Sequence, residues 1–243
     1  MALERALAKA KLAVMKPRTP DRLPGIVAQR WLDAVVLGPR VIQKIELDNF
    51  RSLYPRLPLL VFGNLRADDA GLMVSWYRRG VEGLLVEGVD DSIAGEAISR
   101  QTSSFRRQEA IRPLAEVFRL RSDWQLKAWG ELLRHGFLPL SSDLLAHKLR
   151  VSREYLSRQF GAGGAPNLKR VIDFLRVTAA ADLSGNPGYP PATVARLLRF
   201  VSVRQLRVTV TRTVGLGLDE LPGADLDSLV RGFLALGMRS RAD

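Results

Sequence analysis

Between Leu32 and Arg107 short apolar runs alternate with stretches of helical periodicity, and after Pro113 the short runs stop. Leu32–Leu37, Leu57–Phe62 and Val81–Val86 have strand length and are almost wholly apolar, whereas Val41–Tyr54, Asp68–Gly80 and Asp91–Arg107 space their apolar residues as helices do. A strand without a polar face is buried on both sides, and strands separated by helices run parallel through crossovers. The pattern predicts βαβ units and a partial parallel sheet, an α/β domain over residues 31–112. From Asp123 to His135 the period is that of a helix, with Trp124, Leu126, Trp129, Leu132 and Leu133 near one face. An all-α domain over 122–221 is expected to follow, with the boundary between Ile111 and Ser122. Residues 1–30 read as an N-terminal arm and linker, because Lys16–Pro24 contains three prolines. Residues 222–243 read as a tail with a short amphipathic helix over Leu226–Leu236.

Charge narrows the partners. The 243 residues carry 37 Lys+Arg against 25 Asp+Glu, a formal charge of +12. Such a surface favours a polyanion: nucleic acid or an acidic membrane. Asp123–Leu221 alone holds 14 Lys+Arg and 8 Asp+Glu, about half of the excess. Cysteine is absent, which removes disulfides, thiolate metal sites and Cys nucleophiles and is compatible with a cytoplasmic location. The first eleven residues are charged at helical spacing, unlike a signal peptide, and no apolar run approaches the roughly 18 residues that span a bilayer. A membrane partner is not expected.

Two pairs of short helices stand out in the all-α region. Ser142–Leu149 reads as a helix opened by a capping serine, Arg150-Val151 as a tight turn, and Ser152–Phe160 as a second capped helix. Leu156 and Phe160 mark its buried side; Arg153, Glu154, Ser157 and Arg158 mark its open side. Further on, Ala192–Leu198, a turn at Arg199–Val201 and Ser202–Val210 repeat the arrangement, with Arg204, Gln205 and Arg207 open. Two short helices joined by so tight a turn suit a helix-turn-helix, whose second helix enters the major groove of DNA. Arg can bond guanine with two hydrogen bonds, and Gln can do the same with adenine. Asn167–Leu183 reads as one long helix joining the pairs.

The whole stretch resembles the AraC/XylS family of transcription regulators over about 100 residues. The residues that carry the resemblance are Ser152, Leu156 and Phe160, then Arg176-Val177, Ala180 and Leu183, then Val194-Ala195, Arg199-Phe200, Ser202, Leu206, Val210 and Gly215. The resemblance implies DNA contacts from Ser152, Arg153, Glu154, Ser157 and Arg158 in the first unit. In the second it implies Ser202, Val203, Arg204, Gln205 and Arg207, the two serines acting first as helix caps. Three positions depart from the family pattern. Arg199 stands at the usual turn glycine, which is strained if the backbone there needs φ > 0; Val210 replaces an aromatic, and Val208 stands where an Arg is common.

The order of elements from Asp33 onward resembles the last two-thirds of a response-regulator receiver, with Tyr54–Pro58 and Gly80–Gly83 as its punctuation. The residues a working receiver needs are missing. The phosphoacceptor position falls on Gly38, the hydroxyl position on Gly63 and the Lys position on Glu87, so this region is expected to be a degenerate receiver that is not regulated by phosphorylation.

Other clusters have plainer readings. His135 and His147 lie on separate expected helices without ligands at metal spacing, so no metal is expected. Asp68-Asp69 and Asp90-Asp91 each open an expected helix, where carboxylates cap free N–H groups. Gly161–Gly164 lacks the Lys-Ser/Thr of a phosphate loop and reads as a turn. No nucleophile, base and orienting group converge, so neither an enzyme nor a cofactor is expected. The expected function is sequence-specific double-stranded DNA binding in transcription regulation. RNA polymerase, and a second copy of the chain through the N-terminal domain, are further candidate partners. The alternative is a non-enzymatic scaffold or a nonspecific DNA-binding interaction protein.

Overall fold

The computed structural model describes residues 2–17, 19–135 and 140–239. It is mostly helical, with a small parallel sheet, and divides into two compact units. The first comprises residues 1–106 and 186–189, the second residues 107–185 and 190–243.

In the first unit, α1 (Ala2–Lys9) and α2 (Leu23–Gln29) precede β1 (Val35–Leu37), α3 (Pro39–Ile42), α4 (Leu47–Leu53), β2 (Leu59–Gly63), α5 (Ala70–Arg78), β3 (Gly83–Val86) and α6 (Ala94–Gln101). The strands lie in the order β1-β2-β3, all parallel, with Val36 opposite Leu60 and Phe62 opposite Leu85. The central strand β2 is buried along its whole length, as its unbroken apolar run requires. Leu60 and Phe62 join Leu85, Ala94, Ile98 and Leu7 in one cluster, and the two-residue period of a strand sends Leu59 and Val61 to the other face.

Several expectations change here. The chain before Arg30 is more than an arm: Leu7 of α1 lies in the cluster, and α2 buries Leu23 and Val27. α1 approaches α6 so closely that a Cβ on Gly95 would collide with the Ala6 carbonyl. The single helix expected over Val41–Tyr54 is two, because buried Ile42 and Leu47 are five positions apart. One straight helix would turn them about 140° away from each other. The helix expected over Asp91–Arg107 breaks at Thr102, whose extended backbone (ψ 145°) ends α6. Its hydroxyl accepts from Phe105 N at 3.3 Å and donates to Ser99 O at 2.7 Å, the local bonding that makes Thr a helix starter.

The helix that Thr102 starts is α7 (Ser103–Ile111), and the division between units falls within it, upstream of the expected boundary. The second unit continues with α8 (Leu114–Val117), α9 (Asp123–Arg134), α10 (Ser142–Leu149), α11 (Arg153–Phe160), α12 (Leu168–Ser184), α13 (Pro191–Leu197), α14 (Val203–Val214) and α15 (Leu226–Arg239). Helices α9, α10 and α11 pack on one another, as do α12, α13 and α14, while α15 lies against α12 and α14. Phe118, after α8, joins the groups: its ring meets Trp129 of α9, Phe174 of α12 and Phe233 of α15, with centroids 5.9, 5.4 and 4.9 Å away.

The C-terminal tail therefore completes the core. A Cβ on Gly232 would strike the Val214 carbonyl, so only glycine permits this approach of α15 to α14. In α9 the buried face is Gln125, Ala128, Trp129, Leu132 and Leu133. Trp124 is only half-buried and Leu126 is exposed, contrary to the apolar stripe drawn through them. The stripe is displaced because Gln125 is turned inward by hydrogen bonds. Its Oε1 accepts from the backbone N–H of Arg121 and Ser122 at 2.8 and 3.0 Å. Its Nε2 donates to the carbonyls of Phe160 and Ala162 at 2.9 and 3.0 Å. A buried amide with all these partners costs little, and it fastens the start of α9 to the end of α11.

Candidate nucleic-acid interface

α11 begins at Ser152, whose Oγ accepts from Tyr155 N at 3.1 Å. A β-region cap residue with this bond fixes where the helix starts. The start in turn fixes its phase. Leu156 and Phe160 are buried, while Ser152, Arg153, Glu154, Ser157 and Arg158 are exposed. These positions fall three and four apart, on one side of a 3.6-residue helix. Arg153 stands 3.6 Å from Asp143 of α10. Among the described residues Arg158 has no carboxylate partner.

The preceding helix α10 is capped by Ser141, whose Oγ accepts from Leu144 N at 3.1 Å. Ser142, read as the cap from sequence, is the first helical residue. α10 ends at Arg150, which adopts the left-handed conformation (φ 57°, ψ 44°). Arg150 N donates to His147 O at 3.1 Å and Val151 N to Ala146 O at 3.0 Å. This pair of bonds closes many helices and usually employs glycine at the left-handed position.

The end of α13 is built the same way. Arg199 has φ 55°, its N–H donates to Arg196 O at 3.1 Å, and Phe200 N donates to Ala195 O at 2.8 Å. The strain anticipated for a non-glycine residue at Arg199 is thus present, and it recurs at Arg150 and at Arg119, which closes α8 in the same way. The second turn then has one more residue than the first. Val151 leads directly to the cap Ser152, whereas Val201 intervenes between Phe200 and the cap Ser202. Val201 makes no use of the core and is 91% exposed.

Ser202 Oγ accepts from Gln205 N at 3.2 Å, and Gln205 Oε1 accepts from Val201 N at 2.7 Å. The side chain read as an adenine ligand is therefore half engaged in capping its own helix. Arg204 and Arg207 are exposed and, among the described residues, have no carboxylate partner; Val203 is half-buried. Leu206, Thr209, Val210, Thr213 and Val214 form the buried side, and Val208 is exposed. Val210, at a position the family fills with an aromatic, is fully enclosed.

Two features were not read from the sequence. The left-handed conformation of Arg150, at the position equivalent to Arg199, is one, because Arg carries no preference for φ > 0 that would have signalled it. Arg176 on α12 supports the second turn, its guanidinium donating to Leu198 O at 3.1 Å and lying over the Phe200 ring. Burial lowers the pKa of this guanidinium, with Asp173 opposing the shift.

Elsewhere the described residues assemble no comparable site. Gly38, Gly63 and Glu87 stand at the C-terminal ends of the three strands. Pro39 fills the space beside Gly63, where a Cβ would meet its ring. The paired acids act within turns: Asp69 accepts from Arg66 N at 2.9 Å, Asp90 from Val86 N at 2.7 Å and Asp91 from Gly88 N at 3.0 Å. Among the described residues no three His, Asp or Glu side chains gather as a metal site, and no helix is long and apolar enough to cross a membrane.

No protein-family model matches the chain, and neither does any curated protein or solved structure.

Proposed function

We propose that the chain is a sequence-specific double-stranded DNA-binding regulator of transcription, of the AraC/XylS type suggested by its motifs, with α11 and α14 as the helices that enter the major groove. The observation that carries this reading is the pairing of two similarly built turns with two serine-capped helices. Among the described residues each open face bears at least one arginine without a carboxylate partner: Arg158 on α11, Arg204 and Arg207 on α14. An unpaired guanidinium is free to bond guanine or phosphate without first breaking an ion pair. α12, a helix of 17 residues, is about 25 Å long and offers a rigid spacer between the two readers. Arg150 and Arg199, exposed in the turns, are placed to serve as phosphate contacts. The first unit reads as an accessory α/β domain, with self-association as its proposed role.

The reading is tested by selecting random-sequence duplexes on the full chain and measuring affinity for the recovered site against salt. If about six phosphates are neutralised, log affinity falls with log salt at a slope near −5. Arg158→Ala and Arg204→Ala should each weaken the recovered site by about 1–3 kcal/mol and relax the base preference at one position. Equal binding of all sequences would leave the alternative of a nonspecific DNA binder, and no binding would leave the scaffold.

A further inference from the structure

Counting from the two serine caps places the open positions of α11 and α14 in register. Ser152 then corresponds to Ser202, Arg153 to Val203, Glu154 to Arg204, Ser157 to Arg207 and Arg158 to Val208. The chemistry is exchanged position by position. Where α11 has arginine, at the first and sixth residues, α14 has valine; where α14 has arginine, at the second and fifth, α11 has Glu and Ser.

Val208 is not a core residue displaced to the surface. It is 53% exposed, while the core side of α14 is filled by Leu206, Thr209, Val210, Thr213 and Val214. It lies four residues after Arg204 and next to Arg207, so the three side chains share one open face. An apolar side chain beside two guanidiniums that have no carboxylate partner among the described residues suits a ligand that offers an apolar group among hydrogen-bond acceptors and negative charge. The major-groove edge of a thymine-containing site has this character: the 5-methyl group of thymine is its apolar feature, and guanine N7 and O6 are the acceptors that arginine takes.

We infer that α14 recognises thymine through its methyl group at Val208, alongside guanines taken by Arg204 and Arg207. This rests on the DNA-binding reading proposed above. Over four residues the helix advances about 6 Å, so the thymine stands within about two base steps of the guanine read by Arg204. On α11, Glu154 occupies the register position of Arg204 and accepts from cytosine N4 instead.

The test uses the full chain and its selected duplex, with each thymine replaced singly by deoxyuridine, which removes the methyl group and keeps every hydrogen-bonding atom. Wild type should lose about fourfold in affinity at one thymine, the effect of withdrawing one buried methyl group. Val208→Ser should bind the thymine and uracil duplexes alike, while Val208→Thr, which keeps one methyl group, should retain part of the difference. Because Val208 is exposed, unchanged thermal unfolding of both variants will show that they fold. A selected site with no methyl-sensitive thymine, or one whose sensitivity survives in Val208→Ser, overturns this inference and leaves the DNA-binding reading standing. Failure to recover any shared site overturns both.

Discussion

The guanidinium of Arg176 lies 3.8 Å from the centroid of the Phe200 ring. One planar cation thereby joins the long helix α12 to the turn before α14, and its bond to the Leu198 carbonyl closes the end of α13. Stacking and a charge-assisted hydrogen bond act here in a half-buried setting, where each counts for more than at the surface.

Replacing Arg176 by Ala should destabilise the chain by about 2–3 kcal/mol, since it removes the stack and leaves a carbonyl unpaired. Arg176→Lys should recover less than half of that, because an ammonium neither stacks as a plane nor forks its donors. Urea midpoints of the two variants decide the matter, and a Lys variant as stable as wild type would remove the stack from the account.

Gln125 provides a second test of the same scaffold. Gln125→Ala leaves the buried Phe160 carbonyl and the N–H groups of Arg121 and Ser122 without this partner, while the Ala162 carbonyl keeps its bond from Ala165 N; the expected cost is about 1–3 kcal/mol. Gln125→Glu keeps the acceptor for Arg121 and Ser122 but faces the Phe160 and Ala162 carbonyls with an oxygen. At neutral pH it should be at least as damaging as Ala, and acidification towards pH 4.5 should narrow the difference by restoring a donor. Thermal unfolding of the three proteins at both pH values measures this.

Arg199 is expected to gain from replacement by glycine. The left-handed conformation costs a side-chain-bearing residue about 1–2 kcal/mol, and glycine's extra unfolded-state freedom returns about 0.5–1 kcal/mol of that. A net stabilisation of about 0.5–1 kcal/mol should follow for Arg199→Gly, readable as a higher denaturant midpoint. In DNA binding the same variant should lower the salt slope by about one if Arg199 meets phosphate.

Gly232→Ala should act in the opposite direction. The added methyl group meets the Val214 carbonyl, a backbone atom that cannot turn aside. Overpacking of this kind costs about 1–3 kcal/mol. Faster hydrogen exchange confined to α14 and α15 would be its signature, and an unchanged midpoint would count against the close crossing.

Stability should also fall in mild acid. Burial, aided by Lys148, holds the His135 pKa below its ordinary value, with Glu131 opposing. The unfolded chain protonates this imidazole near pH 6.5, the folded chain only at lower pH. In that interval the unfolded state binds more protons. The contribution is thus complete above about pH 6.5 and is lost as the pH drops towards the folded value. His135→Gln should flatten stability between pH 7 and 5.5; a slope identical to wild type would refute the assignment.

The sequence by itself determined the elements whose signals are local. Three short, mostly apolar runs gave parallel strands, and the serines at 152 and 202 marked where α11 and α14 begin, because an N-cap acts within its own first turn. The phase of those helices, and with it the open faces bearing Arg158, Arg204 and Arg207, followed from the caps. Tertiary structure decided what depended on distant partners. Gln125 points inward because the carbonyls of Phe160 and Ala162 await it, and no periodicity announces a buried amide. Leu7 and Phe233 became core because a sheet and an aromatic cluster had faces to cover, so the presumed arm and tail were drawn into packing. Arginine at three left-handed turns, Arg119, Arg150 and Arg199, is the clearest case: its intrinsic preference opposes φ > 0, and it is held there by hydrogen bonds that close each helix and by the packing of the helix that follows.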